Sequence, residues 1–368
     1  MRGLGLMFAA VPDPRAANAR HDLSEVLFIA FAATLAGAES CADIAEFGVA
    51  KQAVLREVLA LPHGVPSHDT FSRLFRLLDP VAFEAAFRRF TAAFAARLSG
   101  LDGLAGQTVA IDGKALRGAF EAGAACRPLH LVTAWAAEGR LVLAQRQAPG
   151  RSEVTAAREV VALLDLTGAT VTADALHGNR QMAKAIRDRG GDYLLALKAN
   201  RGPLYHAAVA LLATPDPARA AITKETNGGR QERRVAHLLP TPPDWAGQHR
   251  FDGLAAILRV DATRRTGQRE ACQTRYFALS RCIPPAEALA IARRHWSIEN
   301  GQHWTLDVAL REDSARTRKD HAPENLALLR RLALNLLQAD ATKGSIRGKI
   351  KRAGWNDTFL LSLLRQMR

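Results

Sequence analysis

The sequence predicts an α/β protein, with an all-helical N-terminal domain ahead of a mixed strand-and-helix core that a mostly β segment interrupts. Three observations predict this. Apolar residues recur at helical spacing through the first hundred positions, whereas strand-like runs take over from residue 107 and alternate with helical pieces. A later stretch, at about 203–283, is built of strand-like runs around a proline-rich loop, Pro240 to Pro243. The resulting boundaries are 1–100, 101–340 with the β insertion inside it, and a basic tail at 341–368. A chain of 368 residues has room for one large domain with appendages, or for two to three smaller ones.

In the N-terminal part, Asp22 to Ala36 carries a wide apolar face, and Ala42 to Leu61 offers two further amphipathic pieces before Pro62. Ser67 is placed as an N-cap, with Phe71, Leu74 and Phe75 following at helical spacing. A helix, a Pro/Gly turn and a helix presenting Arg73 and Arg76 suit a DNA-binding helix-turn-helix. They suit equally a plain helical subdomain with solvated arginines.

In the core, Val109 to Ile111, Leu129 to Ala136 and Leu141 to Gln147 are predicted strands, the last two joined by a short turn at Glu138-Gly139. A helix follows over Ser152 to Leu166, then a strand from Thr170 to Asp174. Asn179 to Arg189 is a helix with Gly190 at its end, and Asp192 to Leu197 is another strand. Three strands, helix, strand, helix, strand is the order of an RNase-H-like catalytic core. In the insertion, strand-like runs fall at Arg234 to Leu239, Leu254 to Val260 and Tyr276 to Ser280, with arginines at 264, 265 and 269. Helix returns over Pro285 to Trp304 and Pro323 to Gln338. Lys343 to Arg368 holds seven basic residues and one acidic one. Its run from Gly344 to Arg352, with Lys349 and Lys351, reads as a phosphate-contacting segment or as a solvated tail.

Lysine and arginine number 50 against 36 acids, a formal charge of +14 with a pI near 10.3. That surplus favours a polyanionic partner, nucleic acid above all, over acidic small molecules. Cys41, Cys126, Cys272 and Cys282 are scattered without a Cys-x-x-Cys pair, which argues against a disulfide framework and a zinc site and for a reducing cytoplasm. The most apolar stretch, Leu27 to Ala38, is too short for a membrane span and reads as a buried helix. There is no Walker loop, dinucleotide fingerprint or nucleophile elbow.

Three acids stand out. Asp112 breaks the apolar run Thr108 to Ile111, Asp174 ends Ala169 to Ala173, and Glu299 lies in a helical stretch, Arg294-His295-Trp296-Ser297-Ile298-Glu299-Asn300. Carboxylates at two strand ends and on one helix can converge on a pair of Mg²⁺ ions, the arrangement that phosphodiester chemistry uses. The plainer readings are a turn aspartate for Asp112, a helix cap for Asp174 and a surface salt bridge for Glu299. Glu312 is the rival for third acid, with Asp307 and Asp313 behind it. Lys114 and Lys198 sit at strand ends, where they would meet phosphates or simply face water. Trp296 and Trp304, eight residues apart, lie near one helical face, which favours core packing over base stacking.

These residues resemble the DDE transposases of bacterial insertion sequences, in the group that includes the H-repeat-associated proteins. The resemblance covers nearly the whole chain. It is carried by Pro66-Ser67-His68-Asp69-Thr70-Phe71, by Ile111-Asp112-Gly113-Lys114 with Arg117-Gly118, and by Asp174-Ala175-Leu176-His177. It continues in Tyr193, in Leu197-Lys198-Ala199-Asn200, in the Glu299 stretch, and through His303 to Val308 as far as Glu312-Asp313. The resemblance implies an RNase-H-like domain, two Mg²⁺ ions for which Mn²⁺ substitutes, and DNA cleavage at element ends followed by strand transfer into target DNA. Asp112, Asp174 and Glu299 would be its catalytic, metal-holding triad, spaced 62 and 125 residues apart, with Asp112 central. Implied partners are DNA and a second copy of the chain once synapsed on DNA, in the bacterial cytoplasm with the nucleoid. Many members of the wider superfamily carry a Tyr and an Arg before the glutamate and a Lys after it. Here Ala292, His295 and Leu306 stand in those places. His295, with Arg294 beside it, is the expected substitute for the arginine in meeting phosphate.

Overall fold

The computed structural model describes residues 7–99, 103–120, 128–148, 150, 152–199 and 202–366. Cys126 and Asn200 lie outside these residues. The first helices form where caps and apolar faces coincide. Helix α1 (Leu23–Leu35) starts at Asp22, whose side chain accepts the Glu25 N–H, and is buried along almost its whole length. Helix α2 (Cys41–Ala50) opens with a reciprocal capping box between Ser40 and Asp43. Helix α3 (His68–Leu77) is capped by Ser67, as expected, and buries Phe71, Leu74 and Phe75. Helix α4 (Pro80–Ser99) completes the helical region.

Strands β1 (Thr108–Phe120), β2 (Pro128–Ala136) and β3 (Leu141–Gln147) form an antiparallel meander. Helix α5 (Glu153–Ala162), β4 (Thr170–Ala173), α6 (Arg180–Asp188) and β5 (Asp192–Leu197) follow. Strands β4 and β5 run parallel to β1. After α7 (Pro203–Leu211) come β6 (Ala221–Asn227), β7 (Arg230–Pro240), β8 (Ala256–Thr266) and β9 (Arg269–Leu279). The insertion is therefore joined to the core sheet: β9 pairs antiparallel with β5, giving one nine-stranded sheet ordered β3-β2-β1-β4-β5-β9-β8-β7-β6.

Helix α8 (Pro285–Arg294) crosses one face of this sheet, touching β1, β4 and β5 as well as β6, β7 and β8. A π-helical segment (Ile298–His303) and α9 (Trp304–Val308) come next, then α10 (Ala322–Ala339). Helix α10 is the hub, packing on α1, α3, α4 and β3. Its asparagines fix the docking. Asn325 Nδ2 donates to the carbonyls of Phe75 and Leu78, both at 2.9 Å, closing the end of α3. Asn335 exchanges two hydrogen bonds with the backbone of Val142 in β3. The helical region and the sheet consequently share one apolar core.

The chain beyond residue 340 is helical and packed. Helices α11 (Ile346–Trp355) and α12 (Asp357–Arg365) lie against each other and against α1. Lys349 is buried, its ammonium donating to the carbonyls of Leu337 and Asp340 and pairing with the Asp340 carboxylate. The expectation of a phosphate contact fails at Lys349 because the residue falls on the apolar face of α11, beside Ile350 and Ala353.

Candidate active site

Pairing of β1 with β4 sets the first two acids side by side. Ile111 is in register with Ala173, so Asp112 and Asp174 follow immediately on adjacent strands, which lie about 4.8 Å apart in any sheet. Strand β1 continues, and Asp112 Oδ1 accepts the Gly113 N–H at 2.9 Å. Strand β4 ends, and Asp174 Oδ1 accepts the N–H groups of Leu176 and His177, closing the turn into α6. Gly178 completes that turn: a Cβ there would lie 2.0 Å from the carbonyl oxygen of Ala196 on β5.

The third acid arrives on a widened helical turn. The continuous helix expected over Pro285 to Trp304 breaks after Arg294, and Glu299 sits exposed in the π-helical segment. Such insertions concentrate at functional sites. The underlying sheet holds this one in place. Trp135 Nε1 donates to Ser297 Oγ at 3.1 Å, and Gly301 leaves room for the Trp135 ring, 3.1 Å from where a Cβ would stand. Gln302, fully buried, donates to Thr133 Oγ1 at 3.2 Å, and Thr133 is the cross-strand partner of Asp112. Lys114 anchors α9 through Asp307 at 2.8 Å and the following turn through Asp313 at 3.1 Å. Lys114 is thus a buried structural cation, and the expectation that it meets phosphate does not hold.

Burial pushes the Asp112 carboxyl up to about 7; the Gly113 N–H tempers this, and the charges of Asp174, Glu299 and Glu153 add to it. The same carboxylates are therefore close enough to repel. Arg275 lies within electrostatic reach of Glu299, but among the described residues no Lys or Arg is paired with Asp112. His303 Nδ1 lies 3.7 Å from Asp112 Oδ2, but burial, then Arg331 and Lys114, pulls His303 down to about 3 and keeps it neutral. His295 bonds Thr172 Oγ1 at 3.1 Å and is lowered to about 4, chiefly by burial, so it faces the site as a neutral ring rather than as a stand-in for arginine.

Among the described residues no three His, Cys, Asp or Glu side chains are closed up around a common cation position. Asp174 is turned to its own loop, where its Oδ1 accepts the Leu176 and His177 N–H groups. The donor set is nonetheless all carboxylate oxygen, with one member buried and destabilised by its neighbours. That chemistry fits a hard divalent cation. Glu312, the rival third acid, is excluded by its setting: it forms a fully buried ion pair with Arg331 at 2.6 Å.

Two clefts flank the acids. One of about 410 Å³ is lined by Asp174, Lys198, Tyr205, Tyr276, His295 and Trp296. The other, about 520 Å³, runs between α8 and β7–β9 and carries Arg230, Arg234, Arg264, Arg275 and Arg293. Glu232 pairs with Arg230, Arg234 and Arg264, and Glu225 with Arg234 and Arg293, so four of the five arginines share two carboxylates. Arg275 stacks at 4.8 Å over Trp296, which forms a wall of both clefts. Trp296 and Trp304 are 39% and 60% exposed, against the expectation of core packing. The sequence signalled arginine richness at 264, 265 and 269 but not this convergence, which the β7–β8–β9 register creates.

The remaining basic residues are dispersed. Lys198 is exposed in the first cleft. Arg294 pairs with Glu138 at 3.1 Å, and Arg76 with Asp320 at 2.6 Å. Arg73 is exposed on α3, and Lys351 is exposed on α11 over the open Trp355 ring.

A carboxylate-lined strand-end site beside basic grooves defines a protein suited to a divalent cation and a polyanion. Residues 104–336 match the model described as "Transposase DDE domain", and residues 6–91 match the one described as "DDE_Tnp_1-associated". The chain belongs to the DDE transposase family, whose domains use divalent metal ions. It is 39% identical over 292 residues to "Uncharacterized protein in dhlA 3'region" of Xanthobacter autotrophicus, covering 76% of this chain and 94% of that one. It is 30% identical to "Putative transposase YncI" of Escherichia coli O157:H7, covering 97% and 93%. It is 28% identical to "H repeat-associated putative transposase YhhI" of Escherichia coli K12, covering 96% and 95%. Among the described residues no helix is long and apolar enough to cross a membrane.

Proposed function

We propose that the chain is a DNA transposase that cuts at the ends of an insertion element and joins them to target DNA, with Asp112, Asp174 and Glu299 holding two Mg²⁺ ions or Mn²⁺ in their place. The observation that carries this reading is the register of β1 with β4, which sets Asp112 beside Asp174, with Glu299 on a π-helical turn seated on Trp135 and Thr133 of the same sheet. The order β3-β2-β1-β4-β5, with the first acid on the central strand, supports an RNase-H-like core. Bound divalent ions would activate an attacking oxygen and offset charge on the departing 3′ oxygen. The chain's own residues do the rest. Asp112 is fixed by β1 and the Gly113 N–H, Asp174 by its turn, and Glu299 by the seating of Gln302 and Ser297.

The five-arginine groove would bind the sugar-phosphate backbone, with Lys198 reaching it from the neighbouring cleft. Trp296, exposed between the clefts, offers a face for a base. Arg73, Arg294 and Lys351 would extend the phosphate contacts, and joining two ends calls for a second copy on DNA. The test supplies pre-cut element ends with free 3′-hydroxyls, a supercoiled target plasmid and Mg²⁺. Covalent joining of ends to plasmid is expected. Nicking without joining would make the protein a nuclease, and binding without chemistry a DNA-binding protein.

A further inference from the structure

A fourth carboxylate stands against the same site. Glu153 opens α5, and its side chain is turned to the sheet rather than to its own helix end. A Cβ on Gly113 would lie 3.0 Å from Glu153 Oε2, so the bare glycine is what lets this carboxylate abut the peptide next to Asp112. That peptide's N–H is the donor to Asp112 Oδ1. The other Glu153 oxygen, Oε1, is held at 2.9 Å by His130 Nδ1 on β2. Both side chains are largely covered, 21% and 15% exposed. The nearest lysine on β1, Lys114, is committed to Asp307 and Asp313.

We propose that Glu153, oriented by His130, is a positioning residue of the divalent-cation centre formed by Asp112, Asp174 and Glu299. The inference rests on the triad reading above. Its physical content is that a charge fixed beside Asp112 raises the cation affinity of the whole centre and steadies the strand that presents it. An ordinary N-terminal glutamate would only favour the helix dipole, and would leave metal affinity untouched. Gly113 is then a glycine for a reason the triad alone does not supply.

The test is Mn²⁺ binding to the full chain without DNA, read from the free-ion electron paramagnetic resonance signal, for wild type, Glu153→Gln, Glu153→Asp, His130→Gln and Asp112→Asn. Partners of this kind typically govern metal affinity by about 10–100-fold. Glu153→Gln should weaken binding by about tenfold, His130→Gln in the same direction by less, and Glu153→Asp should keep most of the affinity. Wild-type affinity in Glu153→Gln, together with a loss in Asp112→Asn, would overturn this inference and leave the triad standing. Unchanged binding in Asp112→Asn would overturn the triad itself. A loss in Glu153→Gln that Glu153→Asp shares in full, with early melting of both in EDTA, would make Glu153 a structural residue and also overturn the proposal.

Discussion

Replacing Asp112 by asparagine should stabilise the metal-free protein. The side chain is only 20% exposed, and burial with three neighbouring carboxylates raises its carboxyl from 3.8 to about 7. An acid raised on folding contributes stability that is complete below about pH 4 and is lost as pH climbs through about 7. Above pH 7 the folded chain carries a charge it would rather not hold. A rise of about three pH units corresponds to ~4 kcal/mol as a ceiling, and water entry or rotation of the side chain would reduce it to roughly 2 kcal/mol. Asparagine keeps the shape and the acceptor for Gly113 N–H while removing the charge. The assay is urea unfolding in EDTA at pH 8 and pH 5. Asp112→Asn should exceed wild type by ~2–4 kcal/mol at pH 8, and the excess should fall by about half or more at pH 5. Adding Mg²⁺ at pH 8 should then stabilise wild type and leave the variant nearly unmoved. Equal stability at pH 8, or an advantage that grows toward acid, would mean that the Asp112 carboxylate is not held at a cost in the folded chain.

Further outcomes are expected at the buried ion pairs and the Asp174 turn. Arg331→Met strands Glu312 in the interior and should cost ~3–5 kcal/mol by urea unfolding. Glu312→Gln should likewise lose stability while keeping Mn²⁺ affinity, the reverse of Glu299→Gln. Lys349→Met should destabilise by ~3 kcal/mol by removing the cation paired with the buried Asp340 carboxylate and the donor to the Leu337 and Asp340 carbonyls, whereas Lys351→Ala should leave stability intact and lower the salt slope of DNA binding by about 1. Gly178→Ala drives a methyl into the Ala196 carbonyl and should displace the Asp174 turn, seen as weaker Mn²⁺ binding together with a lower midpoint.

The sequence made legible whatever is written in local pattern. Ser67 announced its helix, the apolar run before Asp174 announced β4, and the alternation of strands and helices placed the core. What it concealed depends on tertiary partners. Strand β6 went unread because Ala221–Asn227 is mostly exposed and has almost no apolar alternation. The π-helical turn at Glu299 was invisible because its cause is the Trp135 ring and Thr133 on another strand. Lys114 and Lys349 looked like surface cations, since nothing in a linear sequence shows Asp307, Asp313 or Asp340 waiting for them. Glu153 carries no signal of its own in the sequence, because only the fold sets it against Gly113.

On the proposed function, three carboxylates from two strands and one widened helical turn form a single metal-dependent centre acting on DNA. The most direct test is strand cleavage of DNA carrying the element's ends, with Mg²⁺ or Mn²⁺, by wild type and by Asp112→Ala, Asp174→Ala and Glu299→Ala. Metal-dependent cutting is expected from wild type and none from any of the three variants, each still binding the same DNA. Cutting that survives in any one of them would contradict that proposal.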